Sequence, residues 1–170
     1  MGVRVTEATD ADVPAIAAFF RTAWRASGPD APGWAGASDE VMAQITAPEA
    51  IAARVGGPER RMFLAWEAGR VVGFAATRVQ DPETVELAGI VVLPEAIGTG
   101  VGTPLLEAAE KSGRSGGATR MTVRTEADNE RALGFYRSKG FRATGDVVEQ
   151  VEGIEVTVTV LEHTMGTGDE

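Results

Sequence analysis

The alternation of apolar and polar residues along the chain predicts strands and helices in a mixed order. Two apolar, β-prone runs, Met62–Trp66 and Val71–Val79, flank the polar segment Glu67–Arg70 and predict a hairpin. Thr84–Val92 is almost continuously apolar, which is typical of a strand covered on both faces. Apolar residues at the 3.6-residue period predict a helix that begins near Asp12. The other predicted elements are strands at Val3–Thr6, Met121–Thr125, Phe141–Glu149 and Ile154–Glu162, a helical region after Ser38 that is broken near Pro48, and helices after Gly102 and over Asn129–Lys139. The order β-α-α-β-β-β-α-β-α-β-β predicts a single α/β (α+β) domain.

Composition narrows the functional class. The chain has 170 residues and a net charge of −9, which argues against a protein that binds the phosphate backbone of nucleic acid. Because the chain contains no cysteine, we expect neither a thiolate nucleophile nor a cysteine-based zinc site. With His163 as its one histidine, a Ser-His-Asp triad is not expected either, and we expect no bound metal. No apolar run reaches the ~20 residues that span a bilayer, and no leader pattern is present. We therefore expect a cytoplasmic protein without a membrane partner.

Glycines are concentrated between the apolar strand and the next helix. Gly98, Gly100 and Gly102 alternate with Thr99 and Val101. A helix N-terminus offers free N–H groups and the positive end of the helix dipole, and glycines let a phosphate approach the backbone closely. The spacing fits neither the Walker motif, since no Lys follows the last glycine, nor the dinucleotide fingerprint. The segment is therefore either a plain strand–helix turn or an anion site.

Two motifs resemble those of the GNAT superfamily of N-acetyltransferases. The acetyl-CoA motif of that family, Q/R-x-x-G-x-G/A after a strand, is similar to Ile97–Gly102, which follows Val92-Leu93-Pro94. The second motif, N-x-x-A-x-x-x-Y-x-x-x-G-F, is matched with every spacing intact by Asn129, Ala132, Tyr136, Gly140 and Phe141. The resemblance implies a GNAT fold: a mixed, mostly antiparallel, twisted sheet of about seven strands with helices on both faces. In that fold Thr84–Val92 and Met121–Thr125 run parallel and splay apart for the cofactor.

The glycine segment departs from the family pattern. Ile97 replaces the expected Gln or Arg, and Thr99 stands where a basic residue is common. Because Glu95–Thr103 has no cationic side chain, pyrophosphate bound here would be held by backbone N–H groups and the helix dipole, aided by the Thr103 hydroxyl. Pro104 in the first helical turn is compatible with this, since first-turn N–H groups have no helical partner.

The resemblance implies that two parts of the chain bind acetyl-CoA as a co-substrate. The backbone of Ile90, Val91 and Val92 would pair with the pantetheine arm like an added strand. Asn129 would contact the arm near the thiol, although a helix N-cap alone would account for this residue type. The pyrophosphate would be held by the glycine segment, at Gly98, Thr99, Gly100, Val101, Gly102 and Thr103.

Acetyl transfer to an amine needs a neutral amine, a stabilised oxyanion and a proton for the thiolate. Tyr136, the only tyrosine, occupies the family's usual general-acid position; alternatively it is a core aromatic residue. Glu86 interrupts an apolar strand eleven residues before Ile97, a spacing that resembles the catalytic Glu of histone acetyltransferases. It is the candidate base, and Glu126, a water relay or a plain surface role for Glu86 are the alternatives. The N–H of Val92 is the candidate oxyanion donor.

The resemblance implies an enzyme that moves acetyl from acetyl-CoA to a primary amine by direct attack in a ternary complex. The alternative is a catalytically idle domain that binds acyl-CoA as a sensor or partner module and does not need Tyr136. Residues 1–164 would form the N-acetyltransferase domain and residues 165–170 a disordered tail. The chain would act as a monomer or homodimer.

Acidic residues suggest the charge of the acceptor, a small molecule or a peptide. In the family that this chain resembles, the loop after the first helix and the final hairpin border the acceptor pocket. Carboxylates that flank a cleft attract a cation, so we expect a cationic amine, with ordinary solubility charge as the alternative. Trp34 would either add a cation–π contact or staple its loop. The carboxylates are Asp30, Asp39, Glu40, Asp146, Glu149, Glu152 and Glu155.

Overall fold

A computed structural model describes residues 2–25, 38–55, 57–151 and 153–166 of the chain. Its strands are β1 (Arg4–Glu7), β2 (Arg60–Glu67), β3 (Arg70–Asp81), β4 (Thr84–Val92), β5 (Arg120–Glu126), β6 (Arg142–Val151) and β7 (Ile154–Thr164). Its helices are α1 (Val13–Trp24), α2 (Asp39–Ile45), α3 (Pro48–Ala52), α4 (Gly102–Ser115) and α5 (Glu130–Ser138). The strands form one seven-stranded sheet in the order β1-β2-β3-β4-β5-β7-β6.

The sheet is mixed, as the family resemblance implied. β4 and β5 pair in parallel, whereas β1 with β2, β5 with β7 and β6 with β7 pair antiparallel. The element order is also confirmed, with the second helical region divided into α2 and α3 at Pro48. Within the described residues no helix combines the length and the apolar character that crossing a membrane requires.

The chain forms two compact units. The first consists of Met1–Thr77 with Ile90–Ala109, and the second of Arg78–Gly89 with Glu110–Glu170. β3, β4 and α4 each contribute residues to both units.

The core of the first unit forms around α1. Its buried face includes Ile16, Phe19 and Phe20, and the rings of Phe19 and Phe20 each pack edge-on against Phe74 with centroids 5.5 Å apart. Such edge-to-face pairs contribute about 0.5–1.5 kcal/mol each beyond their burial. Asp12 occupies the N-cap position of α1, but its carboxylate accepts the N–H of Thr9 (2.9 Å) and bonds no N–H of the helix.

Gly73 on β3 lets the end of β4 and the start of α4 pack closely in the first unit. A Cβ at Gly73 would lie 3.1 Å from the carbonyl oxygen of Val91 and 3.2 Å from Cδ1 of Leu105. Leu93 N–H donates to the carbonyl of Val72 (2.9 Å) just beyond β4. The residues on both sides of the glycine segment are therefore held in place.

In the second unit, His163 on β7 packs against the end of α5. Gly140 ends this helix with φ of +96°, and a Cβ on it would lie 3.0 Å from the His163 ring. The imidazole Nδ1 lies 3.2 Å from the Gly140 carbonyl oxygen, and Nε2 lies 3.6 Å from Oε2 of Glu110 on α4. The position of α5 in this unit thus depends on a glycine and on the imidazole that occupies the space beside it.

Candidate active site

The glycine segment forms an open turn at the start of α4. Gly98 and Gly100 adopt φ of +85° and +88°, a conformation that favours glycine, and a Cβ on either would meet nothing within 4 Å. The carbonyl of Ala96 accepts hydrogen bonds from the Thr99 N–H (3.2 Å) and from its hydroxyl (2.5 Å). α4 begins at Gly102, so its first N–H groups have no partner earlier in the helix. Open space beside two glycines and a helix N-terminus fits a bound pyrophosphate.

The same segment is anchored by apolar side chains. Val101, 2% exposed, lies between the glycines, and Leu105 in the first turns of α4 is fully buried. Thr99 is exposed, whereas Gly102 and Thr103 are half-buried. The turn therefore presents its backbone and keeps its Val101 side chain in the core.

One cation that the sequence analysis missed lies beside this segment. Arg70 Nη2 is 2.7 Å from Oε2 of Glu95, which comes just before the glycines. The hydrogen bond from Arg70 lowers the pKa of the Glu95 carboxyl, so this group is ionised and paired at neutral pH. Because Arg70 begins β3, twenty-five positions earlier in the chain, sequence spacing gave no signal of this pairing.

The residues expected to pair with the pantetheine arm lie at the end of β4. The register of β4 with β5 runs from Thr84 opposite Arg120 to Leu87 opposite Val123, whereas β4 itself continues to Val92. Ile90, Val91 and Val92 are half-buried. They lie beyond the last residue pair of that parallel register.

Asn129 and Tyr136 belong to α5 in the second unit. Asn129 is the N-cap, and its Oδ1 accepts the N–H of Ala132 (3.1 Å). Tyr136 is 6% exposed, and its ring packs against those of Phe135 and Phe141, with both centroid distances 5.4 Å. Burial raises the pKa of Tyr136 to about 12, because the phenolate would lose its hydration. Among the described residues none forms a hydrogen bond with the Tyr136 hydroxyl.

Glu86 is buried in the second unit and paired with two arginines. It is 8% exposed, and Arg78 Nη2 on β3 lies 2.5 Å from its Oε1. Arg124 Nε on β5 lies 4.0 Å from its Oε2, and the same guanidinium contacts Glu149 on β6. Glu126, the reserve base, is exposed at the end of β5. Sequence spacing gave no signal of either arginine, because each lies on a strand adjacent to β4 and the sequence does not show which residues face each other across the sheet.

Two of the acidic side chains expected around the acceptor, Asp146 and Glu149, lie on opposite faces of β6. In the second unit, Asp146 accepts a hydrogen bond from the Thr159 hydroxyl (2.9 Å). Glu149 lies three positions later in an unbroken stretch of β6, so it projects from the opposite face and contacts Arg124. Asp39, Glu40 and Glu155 are exposed, and Asp30, Trp34 and Glu152 lie outside the described residues. In the part of the chain that the structure describes, no three acidic or histidine side chains could hold a metal ion.

Comparison with known proteins gives concordant matches. An uncharacterized N-acetyltransferase of Mycobacterium tuberculosis is 33% identical over 88 residues, which cover 52% of this chain and 56% of the relative. Mycothiol acetyltransferase of Corynebacterium efficiens is 33% identical over 49% of this chain and 28% of its own length. The chain thus spans about half, or less, of the curated relatives it matches.

Solved structures share the fold at low identity. The PaiA N-acetyltransferase of Thermoplasma acidophilum, in complex with coenzyme A, has a TM-score of 0.71 and 18% identity over 96% of this chain and 99% of its own. YncA of Salmonella typhimurium, solved with acetyl-CoA, has a TM-score of 0.66 and 21% identity over 98% and 95%. The model of the acetyltransferase (GNAT) family matches residues 15–141. With three quarters of its length inside that match, the chain belongs to the GNAT family of acetyltransferases.

Proposed function

We propose that this protein transfers the acetyl group of acetyl-CoA to a primary amine. The observation that carries the proposal is the open turn at Gly98 and Gly100, which leads into the N-terminus of α4. Family membership supports the use of an acyl-CoA donor. The proposed binding residues are Gly98, Thr99, Gly100, Val101, Gly102 and Thr103 for the pyrophosphate, Ile90, Val91 and Val92 for the pantetheine arm, and Asn129 near the thiol.

Acetyl-CoA supplies an activated thioester carbonyl, whose C–S bond breaks as the new N–C bond forms. The amine nitrogen must lose a proton to attack, and the departing sulfur must gain one, so a base and a donor are both required. The N–H of Val92 is the proposed donor to the carbonyl oxygen, where negative charge develops. The net products are an amide, a free thiol and one proton released to solvent.

Tyr136 is the proposed donor to the departing sulfur. A phenol with a pKa of about 12 is more than three units weaker as an acid than a thiol with a pKa of about 8.5, so complete transfer to the free thiolate is unfavourable by about 5 kcal/mol. The same high pKa keeps the O–H intact at every pH at which the enzyme would work. Hydrogen bonding from an intact hydroxyl to the developing thiolate is therefore the role that its burial favours, with the sulfur taking its final proton from solvent.

Glu86 is the proposed base. Its carboxylate is buried in the second unit, where the Arg78 and Arg124 guanidinium groups compensate its charge. It would take the ammonium proton and pass it to solvent. If Glu86 only positions the two arginines, the base would instead be the exposed Glu126 or a water molecule.

Two assays on one set of variants test the proposal. Acetyl-CoA at a hundred times its Kd should stabilise the protein by about 2.7 kcal/mol, and amines should cause free-thiol release. Gly102→Glu places an anion at the pyrophosphate site and should abolish both signals, whereas Gly2→Glu adds the same charge at an exposed terminus and should abolish neither. A thermal shift without thiol release for any amine would indicate the idle acyl-CoA-binding module. An unchanged shift in Gly102→Glu would contradict the assignment of the glycine segment.

A further inference from the structure

Four charged side chains of alternating sign cross the sheet in the second unit. From β3 to β6 they are Arg78, Glu86, Arg124 and Glu149, which we call the arginine–glutamate row. Arg78 contacts Glu86 at 2.5 Å, Arg124 lies 4.0 Å from Glu86, and Arg124 also contacts Glu149. The two arginine side chains are each 49% exposed, whereas the Glu86 side chain is only 10% exposed. The row therefore has a buried carboxylate at its centre and two accessible guanidinium groups.

The row lies on the sheet face that is opposite α4 within this unit. Val85 and Leu87, which flank Glu86 on β4, are buried, and a Cβ on Gly113 of α4 would lie 3.0 Å from Val85 Cγ1. Successive strand residues project to opposite faces, so Glu86 points away from α4. Ala88, the next residue on the Glu86 face, is exposed. Thr84, the neighbour of Glu86 on the other side, is buried, so this face is open on the Ala88 side of the row.

The guanidinium groups have donors to spare. Each carries five N–H donors in a planar fork. Arg78 contacts Glu86 through Nη2, and Arg124 uses Nη1 for Glu149 and directs Nε toward Glu86. A protein with a net charge of −9 thus presents two adjacent, half-exposed arginines at this point of an open face. The planar fork matches the geometry of a carboxylate.

The row also brackets the proposed base. An amine that gives its proton to Glu86 reaches a carboxylate with a guanidinium group on either side. A carboxylate next to the amine would accept hydrogen bonds from the N–H groups that Arg78 and Arg124 leave unused, whereas an acceptor without a carboxylate would leave those donors unbound. We propose that the acceptor is an amino acid or similar zwitterion, whose carboxylate is bound by Arg78 and Arg124 while its amine contacts Glu86. This inference rests on the proposed acetyltransferase function.

Matched acceptors test this proposal directly. Lysine and cadaverine, and likewise arginine and agmatine, carry the same amines and differ only in the carboxylate, so each pair isolates that group. The panel is completed by the other amino acids and their decarboxylated amines. Since hydrogen bonds to charged groups contribute a factor of about ten to a hundred, we expect kcat/KM to be higher by that factor for the carboxylate-bearing member. Arg78→Ala and Arg124→Ala should bring the ratio toward one, mainly through KM, and Arg78→Lys should restore it only in part because the fork is lost.

The control variant is Arg142→Ala, which removes an exposed arginine of β6 outside the row and should leave the ratio unchanged. Urea unfolding of each variant at neutral pH verifies that it folds, and Arg78→Lys covers the case in which Arg78→Ala does not. Equal or better turnover of the decarboxylated amines by the wild-type protein would overturn the proposal and leave the acetyltransferase function intact. Persistence of the ratio in both alanine variants would overturn it as well. Absence of thiol release with every amine would instead remove the proposed function, and this proposal with it.

Discussion

Replacing Tyr136 by Phe tests both the burial of the hydroxyl and its proposed role as the donor to the departing sulfur. The ring stays packed between Phe135 and Phe141, so only the O–H is lost. A buried hydroxyl without a partner costs about 1–3 kcal/mol, and at neutral pH Tyr136→Phe should therefore be neutral or more stable than the wild type. The reaction should nevertheless slow by about 10²–10⁴-fold in kcat, with little change in acetyl-CoA affinity.

The pH dependence of this difference follows from the shifted pKa of Tyr136. Burial raises the pKa from 10.0 to about 12, so the folded state resists ionisation more than the unfolded state does. For a group whose pKa is raised on folding, the stabilisation is complete below the unfolded pKa and is lost as the pH rises through the folded pKa. Two pKa units correspond to about 2.7 kcal/mol, lost between pH 10 and 12, of which about 1.4 kcal/mol is lost by pH 11.

Two measurements check this prediction. Urea unfolding of both proteins from pH 7 to pH 11 should show that the free energy of unfolding of Tyr136→Phe falls less steeply with pH than that of the wild type. Because Tyr136 is the only tyrosine, tyrosinate absorbance of the native protein reports its pKa without interference from another tyrosine. The burial argument would be refuted if Tyr136 of the native protein ionised near pH 10, or if the free energies of unfolding of the two proteins fell in parallel with pH. Unaltered turnover in Tyr136→Phe would reduce the residue to a packing role.

Three further predictions concern other parts of the molecule. Glu86→Gln should lower kcat/KM by about 10²–10⁴-fold while urea unfolding shows that the protein is folded. Unaltered turnover would favour Glu126 or water as the base. Gly73→Ala should destabilise the protein by about 1–3 kcal/mol, because a Cβ there meets a carbonyl oxygen at 3.1 Å. Gly134→Ala on α5, where a Cβ would meet nothing within 4 Å, should instead stabilise the protein by up to about 1 kcal/mol. Urea midpoints that reverse this order would contradict the packing around Gly73. If the acidic side chains attract a cationic acceptor, KM should rise with ionic strength, and a KM that is independent of salt would dismiss that attraction.

Local patterns in the sequence determined the order of elements and the family. Apolar periodicity and turn residues act over a few positions, so they predicted β4, α4, β5 and α5 close to their observed bounds. Gly140, the glycine of the second motif, ends α5 with φ of +96°, a conformation that favours glycine. The two motifs could be recognised because each lies within one strand–turn–helix or helix–turn segment.

Contacts between distant strands were decided only by the tertiary structure. Arg78, Glu86, Arg124 and Glu149 come from four strands, and a period-two pattern predicts the face of each residue but not its neighbour across the sheet. The same limitation hid the pairing of Arg70 with Glu95.

Burial was likewise determined by packing and not by residue type. The sequence left Tyr136 open between a general acid and a core aromatic residue, and the structure gives it 6% exposure beside two phenylalanines. It left Asp146 and Glu149 in one acidic cluster, whereas the pleat of β6 projects them from opposite faces. The sequence by itself determined which groups are present and in which elements they lie. Only the folded chain decided which charges are paired, because an ion pair depends on a distance between strands that no local spacing encodes.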